Sequence, residues 1–123
     1  MAKILLIDDD EQVRKFLNNL LSEKGHEVIE APNGRTGTEL FQVRPVDIVI
    51  TDIVMSEQDG IETIKNLKRI DPEVKIIATS GGCVSIAPTQ GLRLAMFLGA
   101  IAAIKKPFGG SEIITAVEKA VAD

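Results

Sequence analysis

Four short apolar runs each end in residues suited to metal or phosphoryl chemistry. Ile4-Leu5-Leu6-Ile7 leads into Asp8-Asp9-Asp10, and the run Val46 to Thr51 leads into Asp52. Val74 to Thr79 ends at Ser80, and Ala100 to Ile104 ends at Lys105-Lys106-Pro107. If the runs are parallel strands of one sheet, the four endings meet at its carboxyl edge, where open α/β sheets place their ligand crevice. Carboxylates, a hydroxyl and an ammonium gathered there describe a site for a divalent cation and a phosphoryl group. Asp8, Asp9 and Asp52 would repel one another unless a cation sat among them. Mg²⁺ suits such a set, because it prefers oxygen ligands and uses few carboxylates. No His-rich or Cys-rich cluster offers zinc an alternative. Asp10 reads better as a helix cap than as a ligand.

The elements that must position these groups follow from hydrophobic period. Apolar runs of four to six residues alternate with segments of helical spacing, the pattern of repeated βα units. The first strand is read over Lys3 to Ile7. Val13, Phe16, Leu17, Leu20 and Leu21 share one face of the next helix, which Gly25 stops. Glu27 to Ala31 reads as a second strand. Asn33 then caps a helix reaching Val43, despite Gly37 in its interior. Val46 to Thr51 is the third strand, its apolar character that of a strand covered on both faces. A third helix turns Ile61, Ile64, Leu67 and Ile70 inward, and Pro72 closes it. Lys75 to Thr79 is the fourth strand, Gln90 to Leu98 the fourth helix and Ala100 to Ile104 the fifth strand. Ser111 is read as the cap of a last helix, Glu112 to Ala122. The expected architecture is α/β: a doubly wound, five-stranded parallel sheet of flavodoxin-like order 2-1-3-4-5, with helices on both faces.

With 123 residues, the chain fits a single domain over 1–123. A net charge of −4 argues against nucleic acid as a partner. No apolar stretch approaches the roughly 20 residues of a membrane span, and the start lacks the apolar region of a signal peptide. Cys83 is the single cysteine, so no internal disulfide forms. The cytoplasm is the expected location. His26, just past the Gly25 stop, is expected to be exposed.

Among these groups Asp52 has a carboxylate able to attack a phosphoryl donor and form an acyl phosphate. Lys106 would neutralise charge, and Pro107 after it favours extended geometry. Ser80 offers a hydroxyl to a phosphoryl oxygen, with Gly81 leaving room beside the backbone.

Taken together, Ile4 to Asp9, Thr51-Asp52-Ile53-Val54-Met55 with Asp59-Gly60, Ser80-Gly81, and Gly99-Ala100 leading to Lys106-Pro107-Phe108 resemble the receiver domain of bacterial two-component response regulators. The likeness covers essentially the whole chain. It implies that Asp52 accepts a phosphoryl group from a partner histidine kinase or histidine phosphotransfer protein. It implies Mg²⁺ held by Asp9, Asp52 and the Val54 carbonyl, with Asp8 acting largely through water, and Ser80 and Lys106 reading the phosphoryl oxygens. Such a protein promotes its own phosphorylation and dephosphorylation and is not a stand-alone enzyme. With the last helix ending beside Asp123, output is expected through docking by helix four, strand five and helix five.

Three features depart from that pattern. Ser56 stands where a proline is usual. Ala103 replaces the usual Tyr or Phe of strand five, so switching is expected to run through the Gly81-Gly82 loop and helix four. The stretch from Ser80 to Lys106 is longer than usual, placing Cys83 to Gln90 in an extended loop. The competing functions are a degenerate receiver used as a scaffold, an aspartyl phosphatase and an FMN binder. Val54 occupies the place of the phosphatase's general acid, and Asp8-Asp9-Asp10 would repel the FMN phosphate.

Overall fold

The computed structural model describes residues 1–53, 60–80, 88–105 and 109–122, with side chains for all of these except 88–92. Alternating β and α elements run in the order β1 (Lys3–Ile7), α1 (Glu11–Glu23), β2 (Glu27–Ala31), α2 (Gly34–Val43), β3 (Ile48–Asp52), α3 (Gly60–Ile70), β4 (Lys75–Ser80), α4 (Pro88–Phe97), β5 (Ala102–Lys105) and α5 (Gly110–Ala122). The strands form one parallel sheet ordered β2-β1-β3-β4-β5, as the hydrophobic pattern predicts. Right-handed crossovers between parallel neighbours require this alternation of strand and helix.

Two apolar layers sandwich the sheet. Leu17 and Leu21 of α1 and Ile113, Val117 and Ala120 of α5 cover one face, against Ile4, Leu6, Ile48, Ile50, Ile77 and Ile104. Ile64 and Leu67 of α3 and Ala95 of α4, with Leu40 and Phe41 of α2, cover the other, against Leu5, Ile7, Val49, Ile76 and Ala78. Every residue of β3 is buried. Phe16 and Ile70, read as inward, are instead 48% and 40% exposed. Each lies at the margin of its helix's apolar stripe, which is narrower than the count of hydrophobic residues suggests.

Local chemistry sets the helix ends. Asp10 caps α1, its Oδ1 accepting from Gln12 N at 2.9 Å and Val13 N at 3.4 Å. Asn33 Oδ1 caps α2 through Thr36 N at 2.8 Å. Gly25 ends α1 at φ +92°, with Gly25 N bonded to Ser22 O and His26 N to Leu21 O, the paired bonds of a Schellman motif. Gly99 repeats this after α4 at φ +112°, with Ala100 N bonded to Ala95 O. That bond explains why β5 starts at Ala102 rather than Ala100: Ala100 is still closing the helix, and Ile101 N is the first group to reach β4, at Ile76 O. Ser111 is not the cap of α5. The helix begins one residue earlier, and Glu112 Oε1 accepts from Gly109 N at 3.1 Å, the reciprocal half of a capping box.

Gly37, unfavourable for α2 by propensity, has a packing reason. A methyl group at this position would overlap the Ile7 side chain, so α2 lies close on the end of β1 that carries the acidic residues. Gly37→Ala therefore lowers stability, by about 1–3 kcal/mol from overpacking, although alanine is the better helix former. A fall in the urea midpoint checks this; an unchanged or higher midpoint contradicts it.

His26 is partly buried rather than exposed, and its Nδ1 accepts the Ala2 amide at 3.0 Å. Burial, aided by the positive chain terminus and opposed by Glu118, holds its pKa below the ordinary 6.5. The unfolded chain thus takes up a proton that folded His26 resists. Stability is full above about pH 6.5 and falls as pH drops toward the lowered folded value. Urea midpoints between about pH 7.5 and 5.5 should fall more steeply for the wild type than for His26→Leu. Parallel declines would remove the histidine as the cause.

Candidate metal and phosphoryl site

Parallel pairing builds the site. Ile7 lies opposite Thr51 on the neighbouring strand, so the residues that follow, Asp8-Asp9 and Asp52, emerge side by side. Asp52 in turn pairs with Thr79, and Ser80 with Lys105. Three of the four predicted strand endings therefore meet at one edge within the described residues, and Lys105 brings the fourth strand to it. Lys106 and Val54 lie outside the described residues, as do Ser56, Gly81-Gly82 and Cys83.

Asp8, Asp9 and Asp52 each offer a carboxylate oxygen, and these atoms lie within 4.8 Å of one another. Asp8 and Asp52 are buried, at 4% and 5% exposure, whereas Asp9 faces solvent. Asp8 is tightly held: its N–H donates to Ala31 O at 3.2 Å and its Oδ1 accepts from Asp10 N at 2.9 Å. Asp52 sits at the end of fully buried β3, where Thr51 Oγ1 donates to the Asp52 carbonyl at 3.0 Å and Ile53 N donates to Thr79 O at 3.0 Å. Ser80 is 1% exposed, and its hydroxyl has no hydrogen-bond partner among the described residues. Buried hydroxyls are normally satisfied; this one lies one residue beyond Thr79, which pairs with Asp52 across β3 and β4.

The donor set fits a hard divalent cation. It is all oxygen, carries several negative charges, and leaves Asp9 open to water, which Mg²⁺ retains readily. Nothing in it suits the nitrogen and sulfur preference of zinc.

Two supporting features escaped the sequence reading. Gly60, the first residue of α3, packs so closely that a methyl there would overlap the Asp52 carbonyl and Ile53 Cα. Asp59-Gly60 reads as a loop-and-turn pair, and no local signal tells that the glycine abuts the strand carrying Asp52. The second is a polar chain from α1 to β2, in which Arg14 bonds Glu30 and the Asp8 carbonyl. Glu30, set between the apolar Ile29 and Ala31 of β2 and facing polar residues at four-residue spacing on α1, is the signal that could have revealed it.

These features define an acidic site at the carboxyl edge of a doubly wound parallel sheet. Residues 4–118 match the family described as the response regulator receiver domain. The chain is 36% identical over 121 residues to the response regulator receiver protein CpdR of Brucella abortus, covering 97% of this chain and 96% of that protein. It is 36% identical over 118 residues to the chemotaxis protein CheY of Thermotoga maritima, covering 95% of each. A crystal structure of a response regulator receiver domain protein from Clostridium thermocellum superposes with a TM-score of 0.90 at 29% identity, over 99% of this chain and 95% of that one. The chain belongs to the response regulator receiver family of two-component systems and is CheY-like. Among the described residues, no helix is long and apolar enough to cross a membrane.

Gly60→Ala must displace backbone rather than a flexible side-chain tip. It is expected to cost about 1–3 kcal/mol and to shift the backbone amide resonances of Asp52 and Ile53. Unperturbed resonances there would show that α3 can retreat without disturbing the site.

Proposed function

We propose that the chain acts as one receiver domain over 1–123, accepting a phosphoryl group on Asp52 from a histidine kinase or histidine phosphotransfer protein and signalling by protein docking. The reading rests above all on Asp8, Asp9 and Asp52 converging within 4.8 Å, next to β4, whose Ser80 hydroxyl has no hydrogen-bond partner among the described residues. Asp9, Asp52 and the Val54 carbonyl would hold Mg²⁺, with Asp8 acting largely through water. The ion would supply charge neutralisation for the approach of a phosphoryl group to a carboxylate.

An Asp52 carboxylate oxygen attacks phosphorus in line. The P–N bond of a phosphohistidine breaks, its electron pair stays on the imidazole nitrogen, and an acyl phosphate forms on Asp52. Ser80 donates its hydroxyl to one phosphoryl oxygen, and Lys106 brings an ammonium to another. Burial of Asp52 limits competing water and strengthens each of these contacts.

For output, exposed apolar side chains on α4 and just before β5 support docking there: Phe97 is 86% exposed, and Leu94 and Ile101 are each 45% exposed. Ala103 lies opposite Ala78 in the β4–β5 pair, so the position lacks an aromatic ring to turn inward. Switching through the Gly81-Gly82 loop and α4 is the route we infer.

Incubation with acetyl phosphate should add the mass of one phosphoryl group when Mg²⁺ is present, and not when it is chelated. Asp52→Asn should abolish the adduct. Absence of any Mg²⁺-dependent adduct on the wild type would favour a phosphorylation-independent scaffold instead.

A further inference from the structure

Arg14, Asn18 and Ser22 recur every four residues on α1 and therefore share one helix face. That face meets Glu30 of β2. Arg14 Nε lies 3.2 Å from Glu30 Oε1, Asn18 Nδ2 donates to Glu30 Oε2 at 2.7 Å, and Ser22 Oγ donates to Asn18 Oδ1 at 2.8 Å. At the other end, Arg14 Nη1 donates to the carbonyl oxygen of Asp8 at 2.7 Å. An exposed ion pair on a helix contributes little. Here the Arg14 side chain is only 14% exposed, and its guanidinium bridges a strand carboxylate to the peptide joining Asp8 and Asp9.

We propose that Arg14 is a positioning residue for the acidic pocket: held by Glu30, it fixes the Asp8–Asp9 peptide plane and so aims both carboxylates at Asp52. The inference rests on the Mg²⁺-dependent reading of that pocket given above. β1 ends at Ile7, so Asp8 lies past the strand's last paired residue. Its amide is held by Ala31 and its carboxylate by the Asp10 amide. Arg14 adds a further hold, on the carbonyl. Glu30 balances the guanidinium charge and keeps the group from swinging into the pocket as a rival cation.

Charge and position predict opposite signs. Removing a positive group near a cation site strengthens cation binding by electrostatics alone, whereas losing the positioning contact weakens it. The full chain is titrated with Mg²⁺ and followed by amide NMR, alongside Arg14→Met, Arg14→Lys and, as a control on the same helix, Phe16→Ala. Arg14→Met should weaken Mg²⁺ binding about 10-fold, the low end for losing a group that orients metal ligands. In the metal-free protein it should also shift the Asp9 amide, which belongs to the peptide that Arg14 bonds. Arg14→Lys should fall between the two, because an ammonium lacks the planar fork that spans both acceptors. Phe16→Ala should leave Mg²⁺ affinity unchanged whatever it does to the urea midpoint.

Equal or tighter Mg²⁺ binding by Arg14→Met, or an unshifted Asp9 amide, overturns the assignment. Should Arg14→Met fail to fold, wild-type affinity in Arg14→Lys overturns it and intermediate affinity supports it. A wild-type chain that binds no Mg²⁺ overturns the metal reading itself, and the Arg14 assignment with it. Normal wild-type binding without an Arg14 effect overturns the assignment alone.

Discussion

Parallel pairing of β1 with β3 forces like charges together at one sheet edge, and much of the molecule is arranged around that fact. Ile7 opposite Thr51 leaves Asp8, Asp9 and Asp52 no route apart. At about 4 Å, two carboxylates in an effective dielectric near 20 repel by about 4 kcal/mol. Burial of one Leu or Ile side chain contributes about 1.5–3 kcal/mol, and β1, β3 and β4 are buried almost throughout. The apolar body of the sheet thus outweighs the mutual repulsion of carboxylates gathered at its edge.

Close packing keeps the edge in place. Gly37 lets α2 lie on Ile7, the residue before the acidic pair, and Gly60 lets α3 abut the backbone of Asp52 and Ile53. Arg14 and Glu30 hold the Asp8 peptide from the opposite layer. Each acidic element is therefore approached from more than one side. Such support is what a site needs if carboxylates are to meet a small cation and a phosphoryl group in fixed geometry.

Membership of the receiver family fits the acidic cluster gathered at the edge, and the residues around it are this chain's own. Ala103 opposite Ala78 makes the β4–β5 pair small where a ring could have coupled site to surface. Exposed Phe97 and Ile101 flank Gly99 and Ala100, the motif that closes α4. α4, which packs against both β4 and β5, thus carries apolar side chains that are exposed to solvent.

Much of this was legible in the sequence because the signals are local. Apolar period marked every strand and helix, Asp10 and Asn33 announced their helix starts, and Gly25 its stop. The acidic cluster and Ser80 could be placed together because parallel βα topology leaves few arrangements for strands of this length. Signals that depended on distant partners were misread or missed. Ser111 looked like a cap until Glu112 took the Gly109 amide; His26 looked solvent-exposed until Ala2 met it across the sheet's other end; Phe16 looked buried until the width of the α1 stripe was set by α5 and the sheet. By itself, then, the sequence determined which groups stand at the sheet edge, since residue type and period are written along the chain. Only the tertiary structure decided how they are held: that Gly37 and Gly60 are glycine for lack of space, and that Arg14 reaches back to Asp8. Contact between residues remote in sequence is a property of packing, and no local pattern encodes it.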